Sequence, residues 1–228
     1  MKRINKDLLK KLEATVKQDL PEDSNLNNFL RPFFSLESDR RYFIKKCLVK
    51  MQTRRMLLRA QWYSEIADGL NKIKFNRPAL QIIFLMALAE GVVLLGGDFE
   101  KKDIRNSNKM IRIFFKCATL ADKDLLTRKF KRAYVKFKHH ELRFSSVVNI
   151  LYNIRNNAVH GKDFYSFSLL DENKKKEFVD DGFTSYGIIT DGPLGKKKKR
   201  VPLDISLTYQ ELRDVIVRTA INNISKHF

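Results

Sequence analysis

Cysteine is nearly absent: Cys47 and Cys117 are the only two in 228 residues. Neither sits in a C-x-x-C pair or near a histidine at ligand spacing, which excludes a disulfide-stapled scaffold and a zinc module. Two reduced, buried thiols are expected instead. Five prolines and nine glycines are too few for a low-complexity chain, and no internal repeat is visible. Long charge-free runs are also missing. The longest apolar run, "ALQIIFLMALAEGVVLLGG" at 79–97, is interrupted by Glu90 and ends on a glycine pair. Lacking the flanking belts of a membrane span, it reads as a buried helix, and no membrane partner is expected. The first 20 residues alternate charges and hold no apolar core of about 7–15 residues, so a secretory leader is not expected and a cytoplasmic protein is.

Acidic residues are scarce relative to basic ones. Lys and Arg number 45 against 26 Asp and Glu, a formal net charge of +19. A field of that sign attracts phosphate polyanions and offers sites for counterion release, so nucleic acid is the first partner to consider. The excess lies in residues 1–78 (18 against 9) and 79–170 (16 against 8), and hardly at all in 171–228 (11 against 9). With 43% hydrophobic and 31% charged residues the chain is expected to fold as one core with extensions.

The apolar spacing predicts mostly helices. A short amphipathic helix (Leu8, Leu9, Leu12, Val16) ends at Pro21. Ser38 is placed to cap a long helix with the stripe Phe43, Cys47, Met51, Leu58, Trp62, Ile66, Leu70 and Ile73, among eight cations from Arg40 to Arg59. Helix 78–95 opens on Pro78 and stops at Gly96-Gly97. Helices over 103–118 and 120–138 follow, the second interleaving Arg128, Lys129, Lys131, Arg132, Lys136 and Lys138 with Phe130, Tyr134 and Phe137. Another runs from about Ser145 to His160, and runs 183–190 and 201–207 form a hairpin around the "KKKKR" loop. Thr208 and Glu211 form a capping box for a last helix, 209 to about 225.

One helix ends in polar residues: "NILYNIRNNAVHGKDF", 149–164, carries Arg155, Asn156, Asn157 and His160 before Gly161. Arg155 and His160 form R-x4-H, with an apolar run before the Arg, a polar Asn156 after it and a glycine after the His. A second pair, Arg132 and His139, has six intervening residues but is followed by Ala133 and His140. The first pair resembles the signature of the HEPN superfamily of helical, often ribonucleolytic domains, R-x(4 to 6)-H with a polar residue after the Arg. "IIFLMALAEGVVLL" is similar to the buried HEPN helix that often carries an acidic residue, here Glu90. The likeness covers roughly 78–170. The register of Lys162 departs from the subgroup in which a modified Tyr stands two after the His.

The resemblance implies an all-α fold. A HEPN-like helical bundle over 78–228 would hold a basic helical insertion (about 99–143) and a small C-terminal β-hairpin (about 183–207), with residues 1–77 as an N-terminal helical extension packed on it. It also implies a ribonuclease of toxin or phage-defence type that needs no metal and no cofactor, acts as a homodimer through the motif helix, and answers to an antitoxin or regulatory protein. A non-catalytic module that binds RNA or a nucleotide, or acts as a scaffold, is the alternative.

The residue types suit that chemistry. Metal-free RNA cleavage needs a proton acceptor for the 2′-OH, a donor for the leaving 5′-oxygen and positive charge at the phosphate, which histidine and guanidinium supply. On one helix, residues five apart diverge by about 140° and about 7.5 Å, and one His cannot easily be both acid and base. Two copies facing each other about a two-fold axis would pool two Arg155 and two His160. Asn156 is expected to orient the His or the phosphate by hydrogen bonding, Glu90 to hold Arg155 if it reaches, and Asn157 to support the site. Lys162, Arg128, Arg132, Lys136, Lys197 and Lys198 are expected to meet RNA phosphates. The alternative for Arg155 and His160 is a plain helix end, since cations favour a C-terminus.

Overall fold

The computed structural model describes residues 25–70, 78–97, 99, 106–135, 138–159, 167, 169–170, 185–189 and 199–228. The chain runs through α1 (Asn25–Leu30), a 3-10 turn (Arg31–Phe33), α2 (Glu37–Val49), α3 (Met51–Leu70) and α4 (Pro78–Gly96). Next come α5 (Ser107–Lys116), α6 (Leu120–Lys129), β1 (Arg132–Val135), β2 (Lys138–Glu141) and α7 (Phe144–Val159). β3 (Ser185–Ile189), β4 (Lys199–Asp204) and α8 (Tyr209–Ser225) complete it. The amphipathic stretch expected in the first 20 residues and the "KKKKR" loop up to Lys198 lie outside the described residues.

The central element is α4, which packs on α3, α5, α7 and α8. It is rich in Ala, Leu and Met, good helix formers, and begins at Pro78, where a missing N–H costs nothing. It stops where Gly97 takes a left-handed φ of 76° and donates its amide to the Val93 carbonyl at 3.1 Å. Ile82, Leu85, Met86, Leu88, Ala89 and Val92 are buried, each large one worth about 1.5–3 kcal/mol of burial. The helix is not buried all round, as its composition suggests. Ile83, Ala87 and Glu90 are half-buried and Leu94 is exposed, leaving one open strip. Buried side chains from Phe29 to Ile224 form one core, to which the N-terminal helices contribute Phe43, Cys47, Met56 and Leu57.

The long helix expected from Ser38 is two helices. Lys50 adopts an extended conformation between α2 and α3, and no side chain caps α2 at Leu36. The Thr53 hydroxyl donates to the Cys47 carbonyl at 2.7 Å with the Lys50 carbonyl at 3.0 Å, while Lys50 Nζ donates to the His227 carbonyl at 2.7 Å. The break resets the helical phase. Phe43 and Cys47 are buried as the stripe predicts, but α3 turns Thr53, Met56, Leu57, Ala60, Gln61, Ser64 and Ala67 inward and leaves Met51, Leu58 and Trp62 facing solvent. Small residues on the inner face allow close approach. At Gly91 of α4 an added Cβ would overlap the Cδ of Arg59.

The helix expected over 120–138 stops at Lys129. Phe130 is buried at the C-cap, and its amide donates to the Leu126 carbonyl at 3.0 Å. The chain then enters a strand, so the basic insertion comprises two helices and a hairpin. The strands form one antiparallel sheet in the order β2-β1-β4-β3, which joins that hairpin to the expected C-terminal one. Arg132 faces Glu141 on one side and Asp204 on the other, opposite charges across the ladder. Among the described residues the molecule is mostly helical, as expected, and its small sheet has four strands where a single C-terminal hairpin was expected.

The capping box of α8 is formed. The Thr208 hydroxyl accepts from the Glu211 amide at 3.2 Å and the Glu211 carboxylate from the Thr208 amide at 3.0 Å. Thr208→Ala is expected to lower stability by about 1 kcal/mol in urea unfolding and Thr208→Ser by only a few tenths. Of the two thiols, Cys47 is buried, which pushes it up to about 12, and Cys117 is half-buried with Lys226 Nζ 2.8 Å from its sulfur.

Candidate functional site

Helix α7 opens at Phe144 with an apolar run that buries Val147, Val148, Ile150, Leu151 and Ile154. Its position is fixed by this packing against α4, α5 and α6. Arg155 leaves the helix toward α4, where its guanidinium meets the Glu90 carboxylate at 3.2 Å. Both side chains are about one-fifth exposed (21% and 20%), so the pair sits at the mouth of the core and not in it. Among the described residues the other Glu90 oxygen, Oε1, and Arg155 Nε are buried without a hydrogen-bond partner.

Burial pushes the Glu90 carboxyl above the usual glutamate range, against the pull of the Arg155 guanidinium and the nearby Ser107 hydroxyl. A raised folded pKa means the folded chain holds that proton more tightly than the unfolded one. The stability it contributes is complete below the ordinary value of about 4.5 and disappears as pH rises through the raised one. Glu90→Gln removes this dependence. Urea unfolding of the two proteins from pH 4.5 upward is expected to show the difference moving in favour of Glu90→Gln, and movement the other way would contradict the burial effect.

Asn156 and Asn157 are half-buried on the last turn of α7, next to Arg155 in sequence. His160 and Lys162 lie outside the described residues, as do Lys136, Lys197 and Lys198. Arg128 on α6 and Arg132 on β1 are exposed, whereas their neighbours Lys129 and Lys131 pair with Glu211 (2.7 Å) and Asp204 (3.6 Å). The competing pair Arg132 and His139 is split between β1 and β2, with Glu141 and Tyr134 as their respective strand partners. That pair shares no helix.

Two residues of this region were not singled out by sequence. Asn149 and Asn153 are buried on α7, and Asn149 accepts from the Arg112 guanidinium of α5 at 2.8 Å. Their signal is present in "NILYNIRNN": amides at 149, 153 and 156 fall on one helical face, which no apolar core requires. Among the described residues no group of three His, Cys, Asp or Glu is placed to hold a metal ion. No family model matches this chain, and neither a curated protein nor a solved structure was found to be similar to it.

Proposed function

We propose that this protein is a cytoplasmic, metal-independent endoribonuclease of the HEPN type, acting as a homodimer in a toxin or phage-defence role. The observation that carries the reading is the Glu90–Arg155 pair. The guanidinium of the R-N-x3-H motif is held by a carboxylate of the central helix, at the mouth of the core, with Asn156 next to it in sequence. Arg155 then offers N–H donors to the non-bridging oxygens of a phosphodiester. His160 takes the 2′-OH proton as that oxygen attacks phosphorus. His160 of the partner subunit gives a proton to the 5′-oxygen as its bond to phosphorus breaks. The products are a 2′,3′-cyclic phosphate and a 5′-OH. Incubating the purified protein with an RNA pool in EDTA tests this: cleavage with those ends supports the reading, and intact RNA, or cleavage that chelator abolishes, refutes it.

One observation favours a second reading. The Glu90 carboxylate already neutralises Arg155, as an ion pair serving only the fold would. A non-catalytic module of this kind binds RNA, a nucleotide or a partner protein and leaves RNA intact.

A further inference from the structure

Helix α3 carries more apolar surface than its packing uses. Its inner face buries Met56 and Leu57 among small or polar residues, Thr53, Ala60, Ser64 and Ala67, and yet a second apolar row, Met51 (68% exposed), Leu58 (43%) and Trp62 (56%), faces solvent. Helical geometry sets Arg55 in the middle of that outward stripe, Arg54 on one flank and Arg59 on the other. Residues 40–64 hold eight cations and no carboxylate. An apolar stripe seeded with arginines is a poor self-interface, because pairing it with a copy would crowd the like charges of Arg54, Arg55 and Arg59 from both chains into one contact. It is suited to a polyanion with apolar faces.

The stripe also connects to the candidate site. On α4, Phe84 meets Tyr63 of α3 with ring centroids 6.4 Å apart and Gly91 lies under Arg59, whereas Glu90 turns toward Arg155 of α7. The open strip of α4, Ile83, Ala87 and Leu94, lies between these two directions on the helix. Beyond Arg59, whose guanidinium is 5.9 Å from the Tyr63 ring, stands Trp62, 5.2 Å from the same ring. A surface thus runs from Arg155 over α4 to an exposed indole.

We propose that this surface of α3 and α4 binds single-stranded RNA flanking the scissile phosphate, with a base stacked on Trp62 and phosphates at the exposed Arg54 and Arg55. The inference deepens the ribonuclease reading and rests on it for the position of the cleaved bond, though binding is measurable without cleavage. Base–aromatic stacking and phosphate neutralisation are the two contributions such a face makes.

Trp62 is the protein's single tryptophan, so its fluorescence reports stacking directly. The full chain carrying His160→Ala is titrated with a 12-nucleotide oligouridylate at several salt concentrations. Saturable quenching is expected. Because Trp62→Ala removes the fluorophore, the affinities of the variants are compared by the anisotropy of a dye-labelled strand, with a Kd raised about ten-fold by Trp62→Ala and largely restored by Trp62→Phe. Arg54→Gln/Arg55→Gln should reduce the salt slope by about 0.7 for each phosphate no longer neutralised. Unquenched fluorescence, or binding that Trp62→Ala and the arginine pair leave unchanged, overturns the proposal even if the wild-type protein cleaves RNA. Quenching by dilution-dependent self-association without RNA overturns it too and assigns the stripe to a second copy. Binding that follows these variants in a protein that never cleaves RNA upholds the proposal while refuting the ribonuclease reading.

Discussion

Arg155→Ala is expected to lower RNA cleavage by at least about a hundred-fold, the scale set by removing a preorganised donor from a developing oxyanion. The loss should fall on kcat more than on KM, because the fork of N–H donors matters most when charge builds on the phosphate. The substitution also leaves the Glu90 carboxylate half-buried and alone, so some loss of stability is expected with it. Arg155→Lys separates the two effects. Lysine keeps a cation near Glu90 and hence the fold, but lacks paired planar donors, so activity should fall about ten-fold with unchanged melting. His160→Ala should lose about 10²–10⁴-fold, as removal of a general acid or base does. Full activity in either alanine variant would detach the motif from the chemistry.

A large stability effect is expected at Phe130. It is fully buried where α6 stops and the chain turns into β1, so Phe130→Ala opens a cavity at the junction of helix and sheet. A cost of about 3–5 kcal/mol is expected in denaturant unfolding. Leu120→Ala, at the exposed start of the same helix, should stay within about 0.5 kcal/mol. Equal costs would contradict the burial described.

The same junction shows what the sequence could reveal and what it could not. Phe130, Tyr134 and Phe137 are spaced three to four apart, which reads as a helical face. The strand is set instead by non-local partners, Glu141 on one side and Asp204 on the other of Arg132, and no local window contains that ladder. Local signals fared better. Pro78, Gly97, Thr208 and Glu211 mark helix ends by backbone chemistry alone, and α4 and α8 begin and end within a residue of where those signals place them. At the α2–α3 break the Thr53 hydroxyl takes up the Cys47 and Lys50 carbonyls and Lys50 Nζ reaches the distant His227 carbonyl, and past Cys47 the stripe changes phase. At the site, the motif spacing singles out Arg155, and an isolated acid in an apolar helix singles out Glu90. Glu90 is expected to hold Arg155 if it reaches, and the crossing of α4 and α7 brings the two within 3.2 Å. Asn149, Asn153 and Arg112 were legible only as amides and a cation on otherwise apolar faces.

The central claim is that the chain uses the substrate's own 2′-OH and no metal. Its most direct measurement compares an all-ribose RNA with the same sequence fully 2′-O-methylated, each incubated with the wild-type protein in EDTA and the ends of the products identified. The account predicts cleavage of the ribose strand to 2′,3′-cyclic phosphate and 5′-OH ends and an intact methylated strand. Cleavage of both strands, or of neither, would contradict it.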